Sequence, residues 1–156
     1  MRRGSDALDS ASSKEVEFRT KAGDSGGALI NNKVAVFSNV KGARGALAAY
    51  ASPQAGECLR VTYEKVFRGQ LHDPKATVDV KVDAYLPDLG DASTGYQVTI
   101  DASAQGQADT FYVDIEVIRV GRAVDAFGFF NSGSPPPSDD VTGMTKTGVD
   151  RLEKAL

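Results

Sequence analysis

Gly23-Asp24-Ser25-Gly26-Gly27 carries the residue types of a serine nucleophile loop. A serine hydroxyl becomes a good nucleophile only when a positioned histidine takes its proton and a carboxylate orients that histidine. Where a glycine-flanked serine of this pattern closes a triad, the histidine and the carboxylate precede it in the chain. Here 24 residues precede Ser25 and none is a histidine; the single histidine, His72, lies downstream. Asp73 is a poor orienter for His72, because adjacent side chains on an extended segment point apart. The glycines account for the pentapeptide as a loop between strands, where residues with positive φ are needed. No catalytic residue is assigned, and a Ser25-dependent hydrolase stands as the alternative.

The other groups that could do chemistry are sparse. His72 in Gln70-Leu71-His72-Asp73-Pro74 reads as a solvent-facing loop residue. Asp73, Asp79 and Asp83 are near it in sequence, but Asp79 and Asp83 share the polar face of a strand with Lys81 between them. No zinc-like ligand spacing follows, so no metal is expected. Asp88, Gly90 and Asp91 form a turn behind Pro87, without the alternating carboxylates and distant glutamate of a calcium loop. Cys58, the one cysteine, excludes an internal disulfide and reads as a small buried apolar residue. No cofactor is expected.

Aromatic residues give the better candidate site. Tyr85, Tyr96, Tyr112, Phe127 and Phe129 fall on strands, partly on the face opposite the aliphatic core positions. Left uncovered, that face would line a groove for a small apolar ligand or a protein partner. Covered by a second layer of helices, the same residues would be core.

A chain of 156 residues suits one domain with a sizeable core. Its hydrophobic content is 41% and its charged content 25%, ordinary for a globular protein. A net charge of −3 gives no electrostatic case for nucleic acid. No apolar run is long enough for a membrane span. Met1 to Ser5 reads as a leader with no signal-peptide core behind it, and residues 1–13 are expected to be disordered ahead of a single domain over 14–156.

The elements that must position these residues change character along the chain. Val16 and Phe18 suggest a short strand. Asn31-Asn32 marks a turn before a strand over Lys33 to Phe37. Ala43, Ala46, Leu47 and Tyr50 lie at helical spacing, ending before Pro53. Cys58, Leu59, Thr62 and Val66 share a face of a second helix, which Gly69 is expected to stop. From Ala76 the period becomes two: Val78, Val80, Val82, Ala84 and Leu86, then Tyr96 to Ala102, then Phe111 to Val117. A hairpin at Val120-Gly121-Arg122-Ala123 returns through Val124 to Phe130. After the connector Ser132 to Ser138, Asp139 and Asp140 offer a cap for a terminal helix with Val141, Met144, Gly148, Leu152 and Ala155 on its apolar face. The expected class is α+β, an antiparallel meander sheet packed against two or three helices.

The order of these signals resembles a known group: a Val-Ala-Val-Phe strand, an Ala-rich helix, Pro53, a Cys-led helix, Leu86-Pro87-Asp88-Leu89-Gly90-Asp91, and Val120-Gly121-Arg122-Ala123-Val124 before the last helix. It is similar to actinobacterial secreted or lipid-anchored domains related to the PknH-type extracellular sensor domain, and to the PsbP-like α/β sandwich. The resemblance covers roughly residues 28–156. It implies an extracellular or cell-surface, sensor-like domain that binds a ligand or partner and is not an enzyme, and it supplies no catalytic residues. The alternatives are the hydrolase, suggested by the likeness of Gly23 to Gly27 to the nucleophile loop of trypsin-like proteases, and a structural or assembly module.

Overall fold

The alternation from Thr77 onward folds into four long strands joined by short turns. These are β3 (Thr77–Tyr85), β4 (Ala92–Ala104), β5 (Gln107–Val120) and β6 (Ala123–Ser132). The computed structural model describes the backbone of residues 12–19 and the whole of residues 29–156. Ser25 and its pentapeptide lie outside the described residues, as do positions 1–11 of the expected leader. Ahead of the meander come β1 (Ser12–Arg19) and β2 (Leu29–Val36), then α1 (Val40–Tyr50) and α2 (Pro53–Leu71); α3 (Ser138–Ala155) closes the chain.

All strand pairs are antiparallel, in the order β1-β2-β6-β5-β4-β3. The two consecutive helices carry the chain from β2 to the far edge of the sheet at β3, and the meander walks back until β6 pairs with β2. This is an α+β sandwich, with three helices among the described residues, as the sequence indicates. The helices divide between the two faces, whereas one covered face was expected.

Side chains alternate along β5, so the faces can be told apart there. Val113 and Val117 look toward α1 and α2. Phe67 of α2 packs with Val78, Val80, Val98, Ile100 and Val113. Phe37, with Ala43 and Leu47 of α1, packs with Val117 and Val124. Ile118 and Val120 look the other way, where Val141 and Val149 of α3 join Phe127 and Phe129.

Three local expectations give way to tertiary packing. Helix α2 runs through Gly69 to Leu71 and ends at His72, exposed and left-handed at φ 46°. A helical glycine costs only about 1 kcal/mol relative to alanine, less than Leu71 recovers by packing on the α2-side core. The buried stripe of α2 is Tyr63, Phe67 and Leu71 rather than Cys58, Thr62 and Val66; Cys58 is exposed. Aromatic area decides the rotation, since Phe67 meets Phe111 at a ring separation of 4.9 Å. Asn31 and Asn32 lie inside β2, not in a turn.

Helix α3 is also rotated from its expected face. Val141, Thr145 and Val149 are buried, while Met144 is exposed. Asp139 and Asp140 stand in its first turn, where they complement the helix dipole, and Pro137 occupies the cap. The turn at Asp88–Asp91 is structural: Asp91 Oδ2 accepts from Arg119 Nη1 at 2.7 Å and from the Gly121 amide at 2.8 Å, tying the β3–β4 connection to the β5–β6 hairpin.

Candidate functional site

Because α3 sits over β5 and β6, a cleft opens along its flank toward β2. Its volume is about 870 Å³, within the usual range for small-molecule sites. Ile30, Val34, Phe127, Met144, Leu152 and Ala155 supply apolar walls. Strand geometry places three of these: Ile30, Asn32 and Val34 of β2 alternate onto the α3 face, opposite Phe129, Phe127 and Asp125 of β6.

Asp125 is the chemical feature of this cleft. Only 2% exposed, it lies on an otherwise apolar stripe between Ala123 and Phe127. Its carboxylate accepts from Asn32 Nδ2 at 2.5 Å. Desolvation pushes its pKa up to about 6, against the lowering effect of the Asn32 hydrogen bond. Asp139, Asp140 and Arg151 add charge along the α3 side.

A second polar group lies on the same sheet face. Tyr85, Gly95, Glu116 and Phe127 are consecutive partners across β3, β4, β5 and β6. The Tyr85 ring folds across Gly95, where a Cβ would clash with it at 2.7 Å, and its hydroxyl donates to Glu116 Oε1 at 3.0 Å. Glu116 is 4% exposed and Asp114, two residues back, is equally enclosed. Asp114 Oδ1 and Glu116 Oε2 are buried with no hydrogen-bond partner among the described residues. Burial, and then the charge of Glu116, raises the Asp114 pKa even though Gln97 hydrogen-bonds its carboxyl. Burial likewise raises the Tyr85 phenol, reinforced by Glu116.

The five aromatic residues picked out by sequence do not form one site. Tyr85, Tyr112, Phe127 and Phe129 share the α3 face, as the registers require, but Tyr96 points the opposite way. Phe127 lines the cleft, and Phe129 is buried beneath α3. Tyr96 is buried against the corner between α1 and α2, its hydroxyl donating to the Tyr50 carbonyl. There it borders a smaller cavity of about 520 Å³ with Pro53, Gly56 and Arg60. Tyr85 is engaged with Glu116, and Tyr112 stands two rows beyond the cleft-lining Phe127.

Sequence reasoning missed Asp125 and Asn32. The available signal was Val124-Asp125-Ala126-Phe127, a carboxylate inside a strand apolar on both faces, where a charge needs a reason. His72, at the end of α2, does not line the cleft. Among the described residues no group of three or more His, Cys, Asp or Glu could hold a metal ion, and no helix is long and apolar enough to cross a membrane. Comparison with protein families, with curated proteins and with solved structures finds no match to this chain.

Proposed function

We propose that this protein is a non-catalytic binding domain, and that its ligand occupies the cleft between α3 and β2. The observation that carries the reading is an apolar space of about 870 Å³ containing one buried, hydrogen-bonded carboxylate. Apolar walls supply affinity by releasing water, and a polar pair fixed by the sheet supplies orientation. The sequence resemblance to secreted sensor-like domains supports the same reading and suggests an extracytoplasmic setting, with the small ligand as the signal.

A neutral hydrophobic dye tests the cleft directly. Position 143 lines it and has open space around a side chain, and Gly45 on α1 is equally open but lies on the other face. Nile red fluorescence is expected to rise with the wild-type protein and with Gly45→Phe, and to fall back toward the free-dye level with Gly143→Phe. Equal enhancement by both variants would place the dye elsewhere and remove the case for the cleft.

A further inference from the structure

We propose that the cleft selects a ligand with an apolar body and one protonated amine, the ammonium group seated against Asp125. This rests on the reading of the cleft as the binding site and adds the chemical class of its occupant.

Asp125 is a poor residue to place in an apolar stripe unless something uses its charge. Its flanking partners on the same face are Val34 of β2 and Ile118 of β5, neither of which can accept or donate. Its one hydrogen bond among the described residues comes from Asn32. A carboxylate offers about four lone-pair sites, so one amide leaves most of its accepting capacity unused. Near neutral pH the group is largely ionised despite its burial. An enclosed negative charge beside a space large enough for a ligand is best offset by a cation that also donates hydrogen bonds.

Charge elsewhere in the lining favours the same sign of ligand. Among the described residues three carboxylates, Asp125, Asp139 and Asp140, stand against one guanidinium, Arg151, which is exposed. A fatty acid would bring its carboxylate toward like charge at Asp125. An alcohol could hydrogen-bond there but would leave the charge uncompensated. The apolar walls suit the body of the same molecule, so an alkyl or aryl amine satisfies both parts of the cleft.

Binding is then linked to the protonation of Asp125. The groups around it are Asn32 and Val34 from β2, Glu116 diagonally placed on β5, and Asp139, Asp140 and Arg151 from α3. On β1, Lys14 stands opposite Val34 in the register. As pH falls through about 6, Asp125 takes up a proton and the preference for an amine fades.

Displacement of Nile red by n-decylamine, n-decanol and decanoate distinguishes the possibilities. With wild-type protein near neutral pH, decylamine is expected to displace the dye at a concentration at least about tenfold below decanol, the margin of a charge-assisted hydrogen bond over a neutral one. Decanoate is expected to be weakest. In Asp125→Asn, decylamine and decanol should converge, and in wild type the amine advantage should shrink as pH falls through about 6. The pH series needs no variant, so it decides the matter even if Asp125→Asn folds poorly. Equal displacement by all three, with dye binding still lost in Gly143→Phe, would leave the cleft as the site and overturn the amine. An amine advantage that persists unchanged in folded Asp125→Asn would trace to the acidic surface and also overturn it. Dye binding that survives in Gly143→Phe would overturn the cleft reading and this inference together.

Discussion

Gly148 of α3 rests against the ring of Phe127 on β6, so closely that a Cβ at position 148 would overlap Phe127 Cζ. This contact sets the height of α3 above the sheet, and with it the width of the cleft on its flank. A residue that weakens the helix by propensity thereby fits it to the fold. Gly148→Ala is expected to destabilise, because overpacking typically costs about 1–3 kcal/mol and outweighs the roughly 1 kcal/mol gained in helix propensity. Gly143→Ala, five residues earlier and in open space, should stabilise by up to about 1 kcal/mol. Urea midpoints compare the two directly. The opposite order would mean that α3 is not seated on Phe127.

Tyr85→Phe tests the buried acidic pair. Removing the hydroxyl leaves Glu116 Oε1 without its donor, beside an Oε2 that has none among the described residues. An unpartnered buried acceptor costs about 1–3 kcal/mol, so the variant should lose stability by that order. Alkaline absorbance titration gives an independent reading. Burial, then the charge of Glu116, raises the Tyr85 phenol above the ordinary tyrosine range, while Tyr63 is raised by burial alone. The wild-type titration should show late-ionising tyrosine, and Tyr85→Phe should remove part of that late signal. An unchanged late signal would show that Tyr85 titrates with the exposed tyrosines.

Asp91 is expected to matter more than its exposed turn suggests. Its carboxylate is half exposed, but the guanidinium it pairs with, Arg119, is buried, and Arg119 Nε has no partner among the described residues. Asp91→Ala would leave Arg119 Nη1 with the Gly121 carbonyl alone and free the Gly121 amide, and because Asp91 itself is half exposed the loss is expected at about 1–3 kcal/mol. Asp91→Asn keeps an acceptor and should lose less. Thermal denaturation of the pair measures the difference; identical losses would mean that the charge contributes nothing at this turn.

The strands were legible because period-two alternation reports a half-buried sheet wherever one face is apolar, as in Val78, Val80 and Val82. The Val120–Ala123 hairpin was legible for a related reason: few residues suit a two-residue connection, and Gly121 takes a left-handed φ of 53°. Helix faces were less legible. In α2 and α3, small and apolar residues occur around much of the circumference, and the stripe that wins is set by large partners such as Phe111 and Phe127 on distant strands. The pairing of Asp125 with Asn32 was hidden because they are 93 positions apart in the chain. Asp125 stood out in its apolar strand, but nothing in the sequence named Asn32 as its partner, and only the β2–β6 register brings them together.

That pairing makes a pH prediction whose sign is opposite to the usual one for a carboxylate. Asp125 is raised to about 6 in the fold from its ordinary value of 3.8, so the folded protein binds this proton more tightly than the unfolded chain does. Its contribution therefore favours folding at low pH and is lost progressively as pH rises from about 4 to about 6. A shift of about two units corresponds to about 3 kcal/mol, as an upper figure. Asp114, raised by burial and then by Glu116, acts in the same direction, so the wild-type profile alone cannot isolate Asp125. The comparison with Asp125→Asn does, because the amide keeps the shape and carries no charge. The two proteins should have similar urea midpoints near pH 4, and the variant should become the more stable one above about pH 6. A difference that stays constant across this range would mean that Asp125 titrates like a solvated aspartate, and the buried-carboxylate description of the cleft would fail.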